Sequence, residues 1–267
     1  MGQSPEACPQ AFIEQAEAMA DAARSLARTY FRQSLAIEDK ADESPVTRAD
    51  REAEAAMREI IAAAFPDHGI VGEEYGTENP EAEFVWVLDP IDGTKRFITG
   101  NPLFGSLIAL LRHKQPILGV IDMPVLEERW LGAAGRPTVF SDRQGRREAR
   151  VRRCPDLEAA TILSTAPEMF QGANEPAFHR LREAAKLTLY GGDCFNYGLL
   201  ASGFADIVIE ADLAPYDYLA HAPVITGAGG VMTDWQGGAL TLDSDGRVLC
   251  AGDKACHAAA VSLLAPA

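Results

Sequence analysis

The first long pattern in the chain is helical. Phe12, Ala16, Met19, Ala23, Leu26 and Tyr30 recur every three to four residues, so the spacing predicts an amphipathic helix over 11–33. Residues 38–44 are polar and rich in acids and lysine, and read as a mobile loop. A second helix is expected from Thr47, a suitable cap, with Asp50 in its first turn, to about Phe65, where Pro66-Asp67-His68-Gly69 stops it. The pattern then shortens to that of strands, at 69–72, 84–88, 106–112, 116–122 and 128–133. Turns are expected at 113–115 and 124–126, and the 84–88 strand is expected to end at Asp89.

Beyond the polar stretch 136–153, which has a turn of its own at 142–145, the elements alternate. Strands are expected at 160–164, 187–190, 205–210, 230–233 and 247–251. Helices are expected at 175–186, 193–202, 215–228 and 254–264. Such alternation predicts a layered α/β fold. The polar stretch suggests two halves, 1–145 and 146–267, the first carrying most of the acidic motifs and the second completing the site.

The composition is that of a globular chain, with 267 residues, 47% apolar and 24% charged. The formal net charge of −15 argues against nucleic acid or an anionic membrane as partner. The five cysteines, Cys8, Cys154, Cys194, Cys250 and Cys256, have no close-pair spacing typical of zinc or redox sites, and suit a reducing cytosol. Glu14, Glu17, Asp21 and Arg24 interrupt the first apolar stretch, so neither a signal peptide nor a membrane span is expected.

The sharpest chemistry lies in Asp89-Pro90-Ile91-Asp92-Gly93-Thr94. A strand delivers two carboxylates three residues apart into a Pro-Gly turn. If a helix or turn starts at Gly93, its free N–H groups lie beside them, and cation ligands adjoin an anion cradle. Phosphate-ester hydrolysis needs that pairing. An ordinary surface turn favours the same residues. Three more acidic features change the balance: Gly72-Glu73-Glu74 after a strand, Thr47-Arg48-Ala49-Asp50 opening a helix, and Pro215-Tyr216-Asp217 opening another. Each could be a helix cap or strand end, yet together they supply the hard oxygen ligands magnesium prefers.

In this order, and with Gly227-Ala228-Gly229-Gly230 after them, these motifs resemble the inositol monophosphatase superfamily over nearly the whole chain, from about Ala11 to Leu264. The resemblance implies an αβαβα sandwich of the inositol monophosphatase and fructose-1,6-bisphosphatase type, two or three Mg2+ ions per subunit, a homodimer, and a small phosphorylated metabolite as substrate. Glu73, Asp89 and the carbonyl of Ile91 would hold one metal, and Asp89, Asp92 and Asp217 a second, with Glu73 helping a weaker third. Asp50 and Thr94 would position the attacking water, and the N–H groups of Gly93 and Thr94 would hold the phosphate, without a phosphoenzyme.

The leaving group would be read by Gly191-Gly192-Asp193-Cys194-Phe195 and by Ile209-Glu210-Ala211-Asp212. Gly-Asp-Cys at 192–194, with Asp-Gly-Thr-Lys at 92–95 and Pro-Tyr-Asp at 215–217, resembles the histidinol-phosphate phosphatase branch. There Asp193 and Glu210 would face an ammonium and an imidazole. A broad inositol or sugar monophosphatase and a non-catalytic family member are the rival readings. Asp193 could instead cap the helix after it, Glu210 could be surface charge, and Cys194 reads as a small buried residue rather than a nucleophile. Two residues depart from the branch pattern. Arg96 is either a second cation beside the phosphate or solvated, and His221 reads as part of a polar helix face or, alternatively, as a contact to Asp217 or to a neighbouring subunit.

Overall fold

The first apolar stripe lies on a sheet, as its spacing requires. The computed structural model describes residues 7–33, 37–39 and 45–265. Helix α1 (Gln10–Tyr30) and helix α2 (Arg48–Ala64) pack on each other and on one face of an eight-stranded sheet. Between them β1 (Ile37–Asp39) pairs antiparallel with β2 (Pro45–Thr47), so the start of the expected loop at 38–44 is strand, and 40–44 lie outside the described residues. Thr47 caps α2 as expected, its hydroxyl accepting from the Ala49 N–H while Asp50 accepts from the Thr47 N–H.

The large sheet contains β3 (Gly69–Gly72), β4 (Gly76–Glu78), β5 (Phe84–Asp92), β6 (Gly105–Arg112), β7 (Gln115–Met123), β8 (Glu128–Ala133), β9 (Val139–Asp142) and β10 (Gly145–Glu148). Its order is β10-β9-β8-β7-β6-β5-β3-β4, antiparallel except where β3 joins β5. The β9–β10 hairpin falls in the polar stretch expected to separate two halves, and extends this sheet to Glu148. Period-two alternation sends Val85 and Val87 into a central core and Trp86 and Leu88 into the core under α1 and α2. Each large apolar side chain so buried contributes about 1.5–3 kcal/mol.

A second sheet, ordered β12-β11-β13-β15-β14, contains β11 (Thr161–Ser164), β12 (Leu187–Tyr190), β13 (Ile207–Glu210), β14 (Val231–Thr233) and β15 (Val248–Ala251). Its inward side chains, such as Val208 and Cys250, meet the central core, whereas Ile207, Ile209 and Leu249 meet the core under α4 (Asn174–Ala184) and α8 (Lys254–Leu264). Helices α5 (Phe195–Ala201), α6 (Pro215–Tyr218) and α7 (His221–Gly227) form the middle layer. The resulting order, helix–sheet–helix–sheet–helix, is the expected fold. Among the described residues, no helix is long and apolar enough to cross a membrane.

The helix after 214 and the end of β5 also depart from expectation. The single helix at 215–228 is broken at Leu219–Ala220, where Pro223 has no N–H to offer the Leu219 carbonyl. Strand β5 does not end at Asp89. It regains its register with β6 at Asp92, opposite Gly105, after a bulge. In the bulge the Ser106 hydroxyl donates to the Pro90 carbonyl at 2.7 Å, and Asp89 accepts from the Ile91 N–H at 3.0 Å.

The middle layer touches the large sheet backbone to backbone. A Cβ on Gly119 of β7 would lie 1.9 Å from the Ala220 carbonyl oxygen, and one on Gly132 of β8 would lie 2.3 Å from that of Pro223. Only glycine allows this approach.

Candidate metal centre

The bulge in β5 aims Asp89 and Asp92 to the same end of the strand, and α6, packed on β5 and β6, brings Asp217 to them. Each of the three offers a carboxylate oxygen, all within 4.8 Å of one another. Asp217 also caps its helix, accepting from the Ala214 N–H at 2.7 Å. Asp92 accepts from the Cys194 N–H at 2.8 Å, which joins the turn before α5 to the cluster.

Glu73 follows β3 and hydrogen-bonds Asp89 side chain to side chain. Burial first, then the charges of Glu73, Asp92 and Asp217, drives the Asp89 carboxyl well above the usual carboxylate range. Burial, then Asp92, does the same to Asp217. Asp92 is raised to about 7 by burial and Asp193, against the pull of the Cys194 N–H. Four acids therefore converge as a donor set of hard oxygens suited to a divalent cation, and among the described residues no cation is a leading influence on Asp89, Asp92 or Asp217.

Asp50 caps α2, as expected, and also reaches the turn after β5. One oxygen is held by Thr47, and the other accepts from the Thr94 hydroxyl at 3.4 Å. The same hydroxyl reaches the Ile91 carbonyl at 3.1 Å. Burial, opposed by the Thr47 hydrogen bonds, raises the Asp50 carboxyl. Helix α3 (Thr94–Ile98) starts directly after Gly93, whose φ of 80° turns the chain there. The first N–H groups of a helix have no intrahelical acceptor, so they are available to an anion.

The residues expected to read the leaving group stand differently. Asp193 does not cap α5, which has no side-chain cap. Its carboxylate pairs with the Arg96 guanidinium, so Arg96 is not a freely solvated cation. Glu210 is not surface charge. It is buried, one oxygen accepting from the Thr165 N–H and hydroxyl and the other from the Tyr197 hydroxyl at 2.8 Å. Burial, opposed by those donors, raises it to about 7. His221 is not on a polar face either. It is buried and stacked on Tyr197, ring centroids 3.7 Å apart, and burial lowers it to about 3. Cys194 is buried against Met123 as a small residue.

Glu54 lies outside the acidic motifs. It lies one turn after Asp50 on the buried face of α2, and its carboxylate accepts from the Glu74 N–H at 2.7 Å, the Tyr75 N–H at 3.2 Å and Arg58 Nε at 2.8 Å. It thus braces the turn that presents Glu73. An acid inside an apolar helical stripe was the signal for it. A Cβ on Gly72 would sit 2.0 Å from the Glu54 carboxylate. Gly72→Ala is therefore expected to cost about 1–3 kcal/mol in stability and to raise the magnesium concentration for half-maximal activity. Melting and magnesium titration test this, and an unchanged magnesium requirement removes Glu54 as the brace.

A layered frame with this acidic cluster beside a helix start defines the class of metal-dependent phosphatases. The chain belongs to the inositol monophosphatase family, which it matches over residues 9–266. It is 48% identical over 262 residues to the chloroplastic bifunctional phosphatase IMPL2 of Arabidopsis thaliana, covering 95% of this chain and 75% of that one. It is 36% identical over 234 residues to the histidinol-phosphatase of Chlorobaculum parvum, covering 86% and 88%. An inositol monophosphatase structure from Zymomonas mobilis superposes with a TM-score of 0.87 at 44% identity, covering 96% of this chain and 98% of that one.

Proposed function

We propose that the protein is a magnesium-dependent phosphomonoesterase that hydrolyses histidinol phosphate to histidinol and phosphate. The observation that carries the substrate is the acidic wall beside the cluster, Asp193 and Glu210, suited to an alcohol bearing an ammonium and an imidazole. The similarity to a histidinol-phosphatase supports the same choice.

Asp89, Asp92 and Asp217 would hold one ion, and Glu73, Asp89 and the Ile91 carbonyl another. Magnesium held there would supply charge against the phosphoryl oxygens and would acidify a water. The chain's own groups do the rest. The Gly93 and Thr94 N–H groups hold the phosphate at the start of α3. The Thr94 hydroxyl, its proton directed at Asp50, accepts a hydrogen bond from the attacking water and orients it. Water oxygen bonds to phosphorus and gives up a proton as the bond to the alcohol oxygen breaks on the opposite side, and the departing oxygen takes a proton from solvent, so that the alcohol and hydrogen phosphate are released. Tyr197 and Thr165 keep Glu210 in place at the alcohol end.

The second reading is a broader inositol or sugar monophosphatase, favoured by the Arg96–Asp193 pair, which halves the charge of the acidic wall. Phosphate release from histidinol phosphate, inositol 1-phosphate and fructose 1,6-bisphosphate in magnesium separates the two. Histidinol phosphate is expected to be the best substrate. Much faster turnover of inositol 1-phosphate overturns that assignment, and no release from any ester means a non-catalytic protein.

A further inference from the structure

Arg96 and Asp193 meet where the ester's two ends divide. Arg96 stands on α3, in the first turn after the proposed phosphate cradle, and its Nε donates to Asp193 Oδ2. The side chains are only 25% and 16% exposed, so the pair is shielded from bulk screening. The backbone is shaped for this contact. Gly191, Gly192 and Asp193 have φ of 97°, 116° and 47°, three consecutive left-handed residues. A Cβ on Gly191 would lie 3.2 Å from Arg96 Nη2, and one on Gly93 would lie 3.4 Å from the Asp193 carboxyl carbon. The Asp193 carboxylate therefore sits against the residue that begins the cradle.

A carboxylate there has a cost. It repels a phosphate dianion a few ångströms away, unless a cation accompanies it. Arg96 supplies that cation when the alcohol end of the ester carries none. An ammonium on the alcohol can take its place, because it offers Asp193 an equivalent charge-assisted hydrogen bond. A polyol hydroxyl cannot. Lys95 also acts on Asp193, but as an exposed side chain with a weaker influence than Arg96.

We propose that Arg96 sets the breadth of substrate charge the site accepts: paired with Asp193 it admits esters of neutral alcohols, and without it the site selects esters of cationic alcohols. This rests on the proposed placement of phosphate at Gly93 and Thr94 and of the alcohol at Asp193. Arg96 acts here through Asp193, as a positioning and charge-setting residue.

The test compares kcat and KM for histidinol phosphate and inositol 1-phosphate in Arg96→Ala, Arg96→Lys, Asp193→Asn and the double variant Arg96→Ala/Asp193→Asn, with melting as the fold control. Arg96→Ala is expected to raise the kcat/KM ratio of histidinol phosphate to inositol 1-phosphate roughly tenfold, the size of one charge-assisted hydrogen bond. The change should lie in the KM of inositol 1-phosphate. Arg96→Lys should restore the wild-type ratio. Asp193→Asn should lower it, and in that background Arg96→Ala should no longer raise it. Equal losses on both esters, carried in kcat, mean that the pair only holds the turn whose Cys194 N–H reaches Asp92, and overturn the proposal. If the wild type hydrolyses inositol 1-phosphate but not histidinol phosphate, the proposed function fails by itself. The inhibition constant of histidinol phosphate then replaces its KM, and an unchanged inhibition constant relative to the KM of inositol 1-phosphate in Arg96→Ala overturns the Arg96 proposal.

Discussion

Asp92→Asn is expected to reduce turnover by about a thousandfold or more, equivalent to roughly 4 kcal/mol of transition-state stabilisation, with the fold intact. Asp92 shares its cluster with Asp89 and Asp217 and spends one oxygen on the Cys194 N–H. The amide keeps the shape but carries no charge, and has only one acceptor oxygen for two tasks. The fold should tolerate the change because it removes one charge from a group that repels itself. The metal-free variant should melt at or above the wild-type temperature. Phosphate release across a magnesium titration and a melting curve in chelator check both halves. Near wild-type turnover at saturating magnesium sinks the assignment of Asp92 as a ligand.

Magnesium should stabilise the protein, and more so as the pH rises. Asp92 and Glu210 are raised to about 7, and Asp89 and Asp217 stand well above their usual range. An acid with a raised folded pKa binds more protons folded than unfolded, so its contribution to stability is lost as pH rises through the folded value. The half-buried His68 and the buried His221 and His257 are lowered by desolvation and act oppositely, but only below their ordinary value of 6.5. Above about pH 6.5 the acids alone decide. In chelator, stability should therefore fall between about pH 6.5 and 8. Magnesium competes with those protons and offsets the repulsion. At a hundredfold excess over its Kd it adds about 2.7 kcal/mol, a rise in melting temperature of roughly 5 °C or more. Melting with chelator and with magnesium at several pH values tests this, and a magnesium shift of zero, or one that does not grow with pH, contradicts it.

Much of this was legible along the chain because local rules and the final fold agree. The stripe from Phe12 to Tyr30 and the Thr47–Asp50 cap need only their neighbours to be read. The acids that gather in space were legible as motifs at strand and helix ends. The rest depends on partners distant in sequence. Neither Glu54's hold on the turn after β3 nor the stacking of His221 on Tyr197 has a local signature beyond a polar residue in an apolar place. The bulge in β5 needs Ser106 to reach the Pro90 carbonyl, a contact sixteen residues away. Arg96 was visible as an oddity, but its partner, ninety-seven residues on, was not.

The glycine contacts of the middle layer carry a consequence for which ion the proposed site would take. Asp89 and Asp92 travel with the large sheet, and Asp217 travels with the helices lying on it. At Gly119 and Gly132 nothing but main chain separates the two bodies. The gap between the jaws is thus gauged by peptide against peptide, with no side chain left to shave away. Calcium needs oxygens at about 2.3–2.6 Å and magnesium at about 2.0–2.1 Å. A bulkier residue at either glycine would act as a shim, opening the jaws toward the larger ion from a position that touches no ligand.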